Sequence, residues 1–256
     1  MNTKPVYKTW IRTNKLIIFL LISIILLITT LFPINVYLRV CTGLLTLPFL
    51  YISVVLLYSY YQFASFGKNL QSQVHELIIK DLNWDGNGRL LDVGCGSGSL
   101  IIKAAKSFQE ASLVGIDFWG ANWEYSKKLC KTNSQIEEVG DRIEFIKASA
   151  SKLPLKDCEF DAIVSCLTFH EVKDEVNKIK VIKEAFRVLK QGGRFVFLDL
   201  FIDEKIFGDY MELQNKLKEL GISKFKVKKL DTMIKLPCLL KLKKVLGNAV
   251  VIVGTK

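Results

Sequence analysis

The stretch RLLDVGCGSGSL, residues 89–100, decides the fold. A short apolar run carrying Asp92 leads into three alternate glycines, Gly94, Gly96 and Gly98. Such a turn between a strand and a helix is a ligand loop, because it offers backbone N–H groups and a close approach. Its spacing rules out two ligands. A triphosphate loop ends in Gly-Lys-Ser/Thr, and no such tripeptide occurs. A dinucleotide loop reads G-x-G-x-x-G, and counting from Gly94 the third glycine falls on Ser99. Asp92, two residues ahead of Gly94, would repel a pyrophosphate by charge and suits a ligand bearing a positive amino or sulfonium group.

Working outward, strand-like and helix-like runs alternate. Residues 74–82 (VHELIIKDL) read as an amphipathic helix, 89–93 as a strand and 99–108 as a helix. Strands follow at 112–117 (SLVGID), 143–148 (IEFIKA) and 160–166 (FDAIVSC), with a helix over 123–140 stopped by Gly140. A helix over 174–193 is expected to close on Gly192 and Gly193, before a strand at 194–200 (RFVFLDL). A helix near 205–220 and strands at 224–230 and 248–254 complete the chain, with an irregular basic segment between those strands. Alternation of this kind implies a Rossmann-like doubly wound α/β sheet of seven strands, mostly parallel. The last two strands lack a clear long helix between them, which suits an antiparallel final strand. Ligands of such sheets bind beyond the carboxyl ends of the strands.

In that setting LLDVGCGSGSL resembles the first motif of the class I S-adenosylmethionine-dependent methyltransferases. The resemblance runs in order over about residues 75–200. VGIDF matches the acidic end of the second strand, IEFIKASASKLPL the third-strand motif, EFDAIVSCLTFHEV the fourth, and EAFRVLKQGGRFVFLDL the helix, turn and fifth strand. It is close to the small-molecule subgroup that includes quinone-biosynthesis enzymes. It implies S-adenosyl-L-methionine as cofactor, bound by Asp92, Gly94, Cys95, Gly96, Ser97 and Gly98 of the loop. It further implies Asp117 on the ribose hydroxyls, Phe118 or Trp119 near the adenine, Ser149 and Ala150 at the adenine edge, and Ser165 beside the methyl group. In the family the residue at 149 is commonly an aspartate contacting the adenine amino group. Serine carries no charge, so the contact here uses the Ser149 hydroxyl, the Ala150 N–H, or both.

Methyl transfer asks the protein mainly to align the acceptor and exclude water. A base is required when the acceptor must lose a proton. The loop after the fourth strand reads Ser165-Cys166-Leu167-Thr168-Phe169-His170-Glu171 and has no Asn-Pro-Pro-Tyr/Phe signature of amino-methylating enzymes. His170 is the candidate base, since its pKa suits proton transfer near neutrality. The alternative is that it packs or caps the next helix. His75, in the helix before the first strand, reads as structural.

Residues 16–38 and 40–67 contain no charged side chain, and each run is long enough to cross a bilayer core as a helix. A cleaved leader fits poorly, because no alanine precedes Ala64 and a second apolar run follows at once. The expectation is a membrane-anchoring hairpin over 1–68, turning near Pro33, Asn35 and Arg39, and a methyltransferase domain over 69–256. Lys4, Lys8, Arg12 and Lys15 before the first run and Lys68 after the second place both ends, and the domain, in the cytoplasm, in a multi-pass protein of the cell membrane.

The net charge of +11 does not indicate nucleic acid. Residues 1–68 hold six Lys/Arg and no acid, and residues 224–256 hold nine Lys against Asp231, so the stretch between is slightly acidic. The basic tail suits either anionic headgroups or an ordinary solvated face. Six scattered cysteines and two histidines make no zinc-ligand pattern, so no metal is expected. The expected partner is a small-molecule or lipid methyl acceptor, with the segment at 236–247 as an interfacial element or a lid. Two functions fit: a membrane-anchored methyltransferase, or a donor-binding membrane protein that retains the fold without turnover.

Overall fold

The computed structural model describes residues 4–32, 35–121, 123–222 and 224–256. The chain forms two compact units, Lys8–Gln71 on the one hand and residues 4–7 with Ser72–Lys256 on the other.

The smaller unit is a pair of helices, α1 (Thr13–Leu31) and α2 (Val36–Phe63). Both are long and apolar enough to cross a membrane, by length and composition. Their side chains are distributed opposite to those of a water-soluble helix pair. Along the middle of the pair the buried residues are Ser23, Thr42, Thr46, Ser53 and Ser59, with Leu16, Gln62 and Phe63 buried towards the other end, while Ile18, Leu21, Ile25, Leu44, Leu47 and Val54 are exposed. Hydroxyls join the helices: Ser23 Oγ lies 3.0 Å from Ser53 Oγ, and Thr30 Oγ1 donates to Thr42 Oγ1 at 3.0 Å. The second pair is closer in sequence than the first, so the helices run antiparallel. Asn35 caps α2 by accepting from the Tyr37 N–H. Arg39 lies inside α2 rather than in the turn, and its Nε donates to Thr30 O. Pro33, expected in the turn, falls outside the described residues.

The larger unit is built on a seven-stranded sheet of order β3-β2-β1-β4-β5-β7-β6. The strands are β1 (Arg89–Val93), β2 (Ser112–Asp117), β3 (Ile143–Lys147), β4 (Phe160–Cys166), β5 (Leu189–Asp199), β6 (Lys224–Lys229) and β7 (Val250–Thr255). The first five are parallel, and β7 inserts antiparallel between β5 and β6. The expected fold is therefore the observed one. Helices α3 (Leu70–Leu82), α4 (Ser99–Ser107), α5 (Lys127–Ile136), α6 (Lys178–Val188), α7 (Glu204–Phe207) and α8 (Tyr210–Glu219) accompany the sheet. β1 and β4 are almost wholly buried, as parallel strands covered on both faces must be. Phe195 and Phe197 of β5 join Phe169 and Phe186 in an aromatic cluster, with Phe169 edge-on to Phe197 and Phe186 edge-on to Phe195.

Three expected boundaries move. α5 starts at Lys127, because the Ser126 hydroxyl accepts from Leu129 N and caps it there, and it ends at Ile136, short of Gly140. α6 begins only after Asn177, whose side chain accepts from Ile179 N. It also ends at Val188 rather than at the glycines. Gly192 and Gly193 lie within β5, where pairing with β4 shifts register between Phe160 and Ala162. The single helix expected near 205–220 is split at Gly208, which has φ +75°.

Candidate active site

Because β1 to β5 run parallel, their carboxyl ends share one edge of the sheet. The strand order sets Asp117, Asp92, Cys166 and Asp199 along that edge, from β2 through β1 and β4 to β5. Burial raises the Cys166 thiol, and the charges of Asp92 and Asp199 add to it.

The glycine loop hangs from the neighbouring strand. Gly94 N and Cys95 N both donate to Ile116 O, at 2.7 and 3.0 Å, and Gly96 N donates to Asp117 Oδ2 at 2.9 Å. Gly98 takes φ +83° as the residue before α4, a conformation that suits glycine. Gly94, at φ +80°, serves a closer purpose than ligand approach. A Cβ there would overlap the Thr168 side chain, so the glycine lets the loop after β4 close onto the loop after β1. Cys95 and Ser97 are buried: the Cys95 thiol lies against Cys130 and Gly115, and Ser97 O accepts from Asn133 Nδ2 at 3.0 Å. These residues contribute backbone to the loop. Ser165 is fully buried, with its hydroxyl donating to Val93 O at 2.9 Å, and it braces the loop from below.

Asp92 is 1% exposed, and neither carboxylate oxygen has a hydrogen-bond partner. Burial, reinforced by Asp117, pushes its pKa up to about 8, and the Ile101 amide, short of a hydrogen bond, offsets this only slightly. A buried carboxyl without a partner is costly. It fits a ligand that brings a cationic group.

Asp117 is held by two backbone donors, Gly96 N on Oδ2 and Trp119 N on Oδ1 at 2.7 Å. Burial lifts its carboxyl above the usual range against the pull of the Trp119, Gly96 and Phe118 amides. Each oxygen keeps a further lone pair for a diol. Trp119 sits at φ +42°, strained for an aromatic residue, and its indole Nε1 donates to Gly96 O at 2.9 Å. The tryptophan thus braces the loop, whereas Phe118 is 63% exposed with Lys147 Nζ 5.9 Å over its ring. Ala148 N donates to the main-chain Asp117 O at 3.1 Å, which ties the turn after β3 to the end of β2. In that turn Ala150 is buried and Ser149 half-buried.

His170 lies in the short turn Phe169–Glu171 after β4, and the end of β5 brings it a partner that sequence reading missed. Asp199, fully buried, places Oδ1 2.6 Å from His170 Nδ1, while its Oδ2 accepts from His170 N at 3.4 Å. Burial lowers the imidazole pKa, but Asp199 and then Glu171 overcome it, so the net displacement is upward. His170 Nε2 lies 3.8 Å from Glu171 Oε1. The only signal for Asp199 in the sequence was its place at the end of RFVFLDL, aligned by β-register with the loop that carries His170. His75 is buried in α3, its Nδ1 is 3.1 Å from Ser99 Oγ, and burial together with Lys103 pushes its pKa down to about 3. It is a neutral support for the start of α4.

The sheet order and the glycine loop are similar to those of methyltransferase domains. Residues 91–197 match the family described as "Methyltransferase domain". The chain is 32% identical over 136 residues to the ubiquinone/menaquinone biosynthesis C-methyltransferase UbiE of Geotalea daltonii, covering 53% of this chain and 54% of that protein. It is 30% identical over 122 residues to the chloroplastic 2-phytyl-1,4-beta-naphthoquinone methyltransferase of Arabidopsis thaliana, covering 46% and 45%. The chain thus spans about half the length of the curated relatives it matches. Geranyl diphosphate C-methyltransferase from Streptomyces coelicolor A3(2) shares the fold at 14% identity, with a TM-score of 0.58 over 73% of this chain and 80% of that one. So does the [4+2]-cyclase SpnF at 18% identity, with a TM-score of 0.55 over 72% and 81%. These two likenesses establish the fold alone, and the second marks that the fold does not dictate the reaction.

Proposed function

We propose that the chain is a membrane-anchored methyltransferase that moves a methyl group from S-adenosylmethionine to a lipid-soluble acceptor whose reacting hydroxyl or carbon must lose a proton. The observation that carries the donor reading is Asp92: a buried, unpartnered carboxylate beside the glycine loop, with Asp117 poised next to it. These groups fit the donor, with Asp92 toward its cationic part, the start of α4 toward its carboxylate, and Asp117 on its ribose. Phe118 and the turn at 149–150 flank the base. When bound, the donor supplies an activated methyl on sulfur. Every remaining task falls to the protein.

Asp199 accepts the Nδ1 proton of His170 and so leaves Nε2 with its lone pair outward. His170 then takes the acceptor proton at Nε2 as the acceptor attacks, and Asp199 stabilises the imidazolium formed. The closure of Thr168 onto Gly94 draws this dyad toward the donor loop. The quinone-related names of the relatives support an aromatic hydroxyl compound as acceptor.

The inverted side-chain distribution of α1 and α2 supports a membrane hairpin, since bilayer helices join through small polar residues and present apolar ones outward. Residues 4–7 belong to the same unit as the sheet. An even number of crossings and the basic flanks favour a cytoplasmic catalytic unit in a multi-pass protein of the cell membrane.

Calorimetry with S-adenosylhomocysteine on the purified full chain tests the donor reading. Binding is expected in the wild type and is expected to be lost or weakened more than tenfold in Asp117→Ala. No binding to the wild type would overturn the proposal.

A further inference from the structure

The turn after β3 departs from the pattern of its family by placing an uncharged serine at 149. The structure brings a carboxylate to that point from elsewhere. Asp174, in the loop between His170 and α6, accepts from Ser149 Oγ on Oδ1 at 2.9 Å and from Ser151 Oγ on Oδ2 at 2.6 Å. The two hydroxyls lie 2.9 Å apart, and Ser151 N donates to Ser149 Oγ at 3.2 Å. An exposed aspartate is ordinarily free to hydrate in many rotamers. This one is fixed in one orientation by two neutral donors, across 25 positions of sequence.

The location gives the arrangement a use. β3 runs beside β2, with Lys147 opposite Asp117, and Ala148 N donates to Asp117 O. The turn therefore stands one strand spacing, about 4.8 Å, from the main chain of Asp117, the residue assigned to the ribose diol. A purine attached to that ribose extends across this distance, with exposed Phe118 beside it. The exocyclic amine of adenine is a donor of two N–H bonds and needs acceptors. Each oxygen of Asp174 uses one lone pair on a serine and keeps another. The serine hydroxyls and the Lys178 ammonium hold the Asp174 carboxyl below its usual range, so it stays ionised near neutrality.

We infer that Asp174, oriented by Ser149 and Ser151, is the residue that accepts the adenine amino group of the methyl donor. This rests on the donor reading above. It makes Asp174 a specificity-determining residue supplied by the same loop as His170. Donor binding thereby orders the segment that carries the base.

The test compares binding of S-adenosylhomocysteine and S-inosylhomocysteine, which replaces the amine by an oxo group, to the full chain in detergent. The wild type is expected to prefer the adenosyl ligand by about tenfold or more, as for a lost hydrogen bond to a charged group. Asp174→Asn is expected to weaken the adenosyl ligand by about that factor and to leave the inosyl ligand nearly unchanged. Adding Ser149→Asp to that variant should restore the preference. Equal binding of both ligands by wild type and Asp174→Asn, or an equal loss for both in the variant, would overturn the inference while leaving the donor reading intact. A wild type that binds neither ligand would overturn the donor reading itself.

Discussion

Asp199 Oδ1 lies 2.6 Å from His170 Nδ1, and this pair joins the end of β5 to the loop after β4. The aspartate is fully buried while the imidazole is half-buried, so Nδ1 is tied to Asp199 and Nε2 is the nitrogen the proposed base would use. His170→Ala should lower turnover by about 10²- to 10⁴-fold, the range of a positioned base, with S-adenosylhomocysteine binding unchanged. Steady-state kinetics beside calorimetry separates the two effects.

The pair also sets a pH dependence. Asp199 raises the His170 pKa, and the base acts when deprotonated, so activity rises as pH climbs through that raised value. Asp199→Asn removes the upward pull. The acid limb of the kcat/KM profile should then move to lower pH, and the plateau should fall. A limb that stays in place would show that His170 is not the titrating base.

Asp92 predicts a linkage of the opposite kind. Its folded pKa, about 8, stands above the unfolded value near 3.8, so the ligand-free fold loses stability as pH rises between the two. A cationic ligand favours the ionised form. Donor binding should therefore tighten with rising pH below about 8 and release a proton, measurable by calorimetry in buffers of different ionisation enthalpy. Asp92→Asn should abolish the proton release, weaken the donor, and make the ligand-free protein more stable above pH 7.

Gly94→Ala adds a methyl group against Thr168 at φ +80°. Overpacking and a left-handed backbone should together cost about 2–4 kcal/mol in denaturant unfolding. Thr168→Ala in the same chain should recover part of that loss, which a purely conformational penalty would not allow.

Asn133 offers a further check. It is buried in α5 and bonds both the N–H and the carbonyl of Val6 as well as Ser97 O. Asn133→Ala leaves these groups unsatisfied and should destabilise the catalytic unit by about 2–3 kcal/mol, while loosening the donor loop. Limited proteolysis near residue 7 together with donor affinity measures both.

Much of this architecture is legible in residues alone. β1, β2 and β4 stand at their expected bounds, because each is a short apolar run closed by a turn signal. The glycine loop and Asp92 were visible through their spacing, and Asp117 through the resemblance to the second-strand motif. What escaped were partners made by register and not by neighbourhood in sequence: Asp199 for His170, Asp174 for Ser149, Thr168 for Gly94, and Asn133 for the chain before α1. Gly192 and Gly193 misled because glycine ends helices and also serves bulged strands, and only pairing with Phe160 decides between them.

The most direct test of the whole account is to incubate membranes containing the chain with S-adenosylmethionine labelled on the methyl group and to extract them. Label should enter the organic-soluble fraction and should fall to background in membranes carrying His170→Ala. Label confined to water-soluble products, or equal in the two preparations, would contradict it.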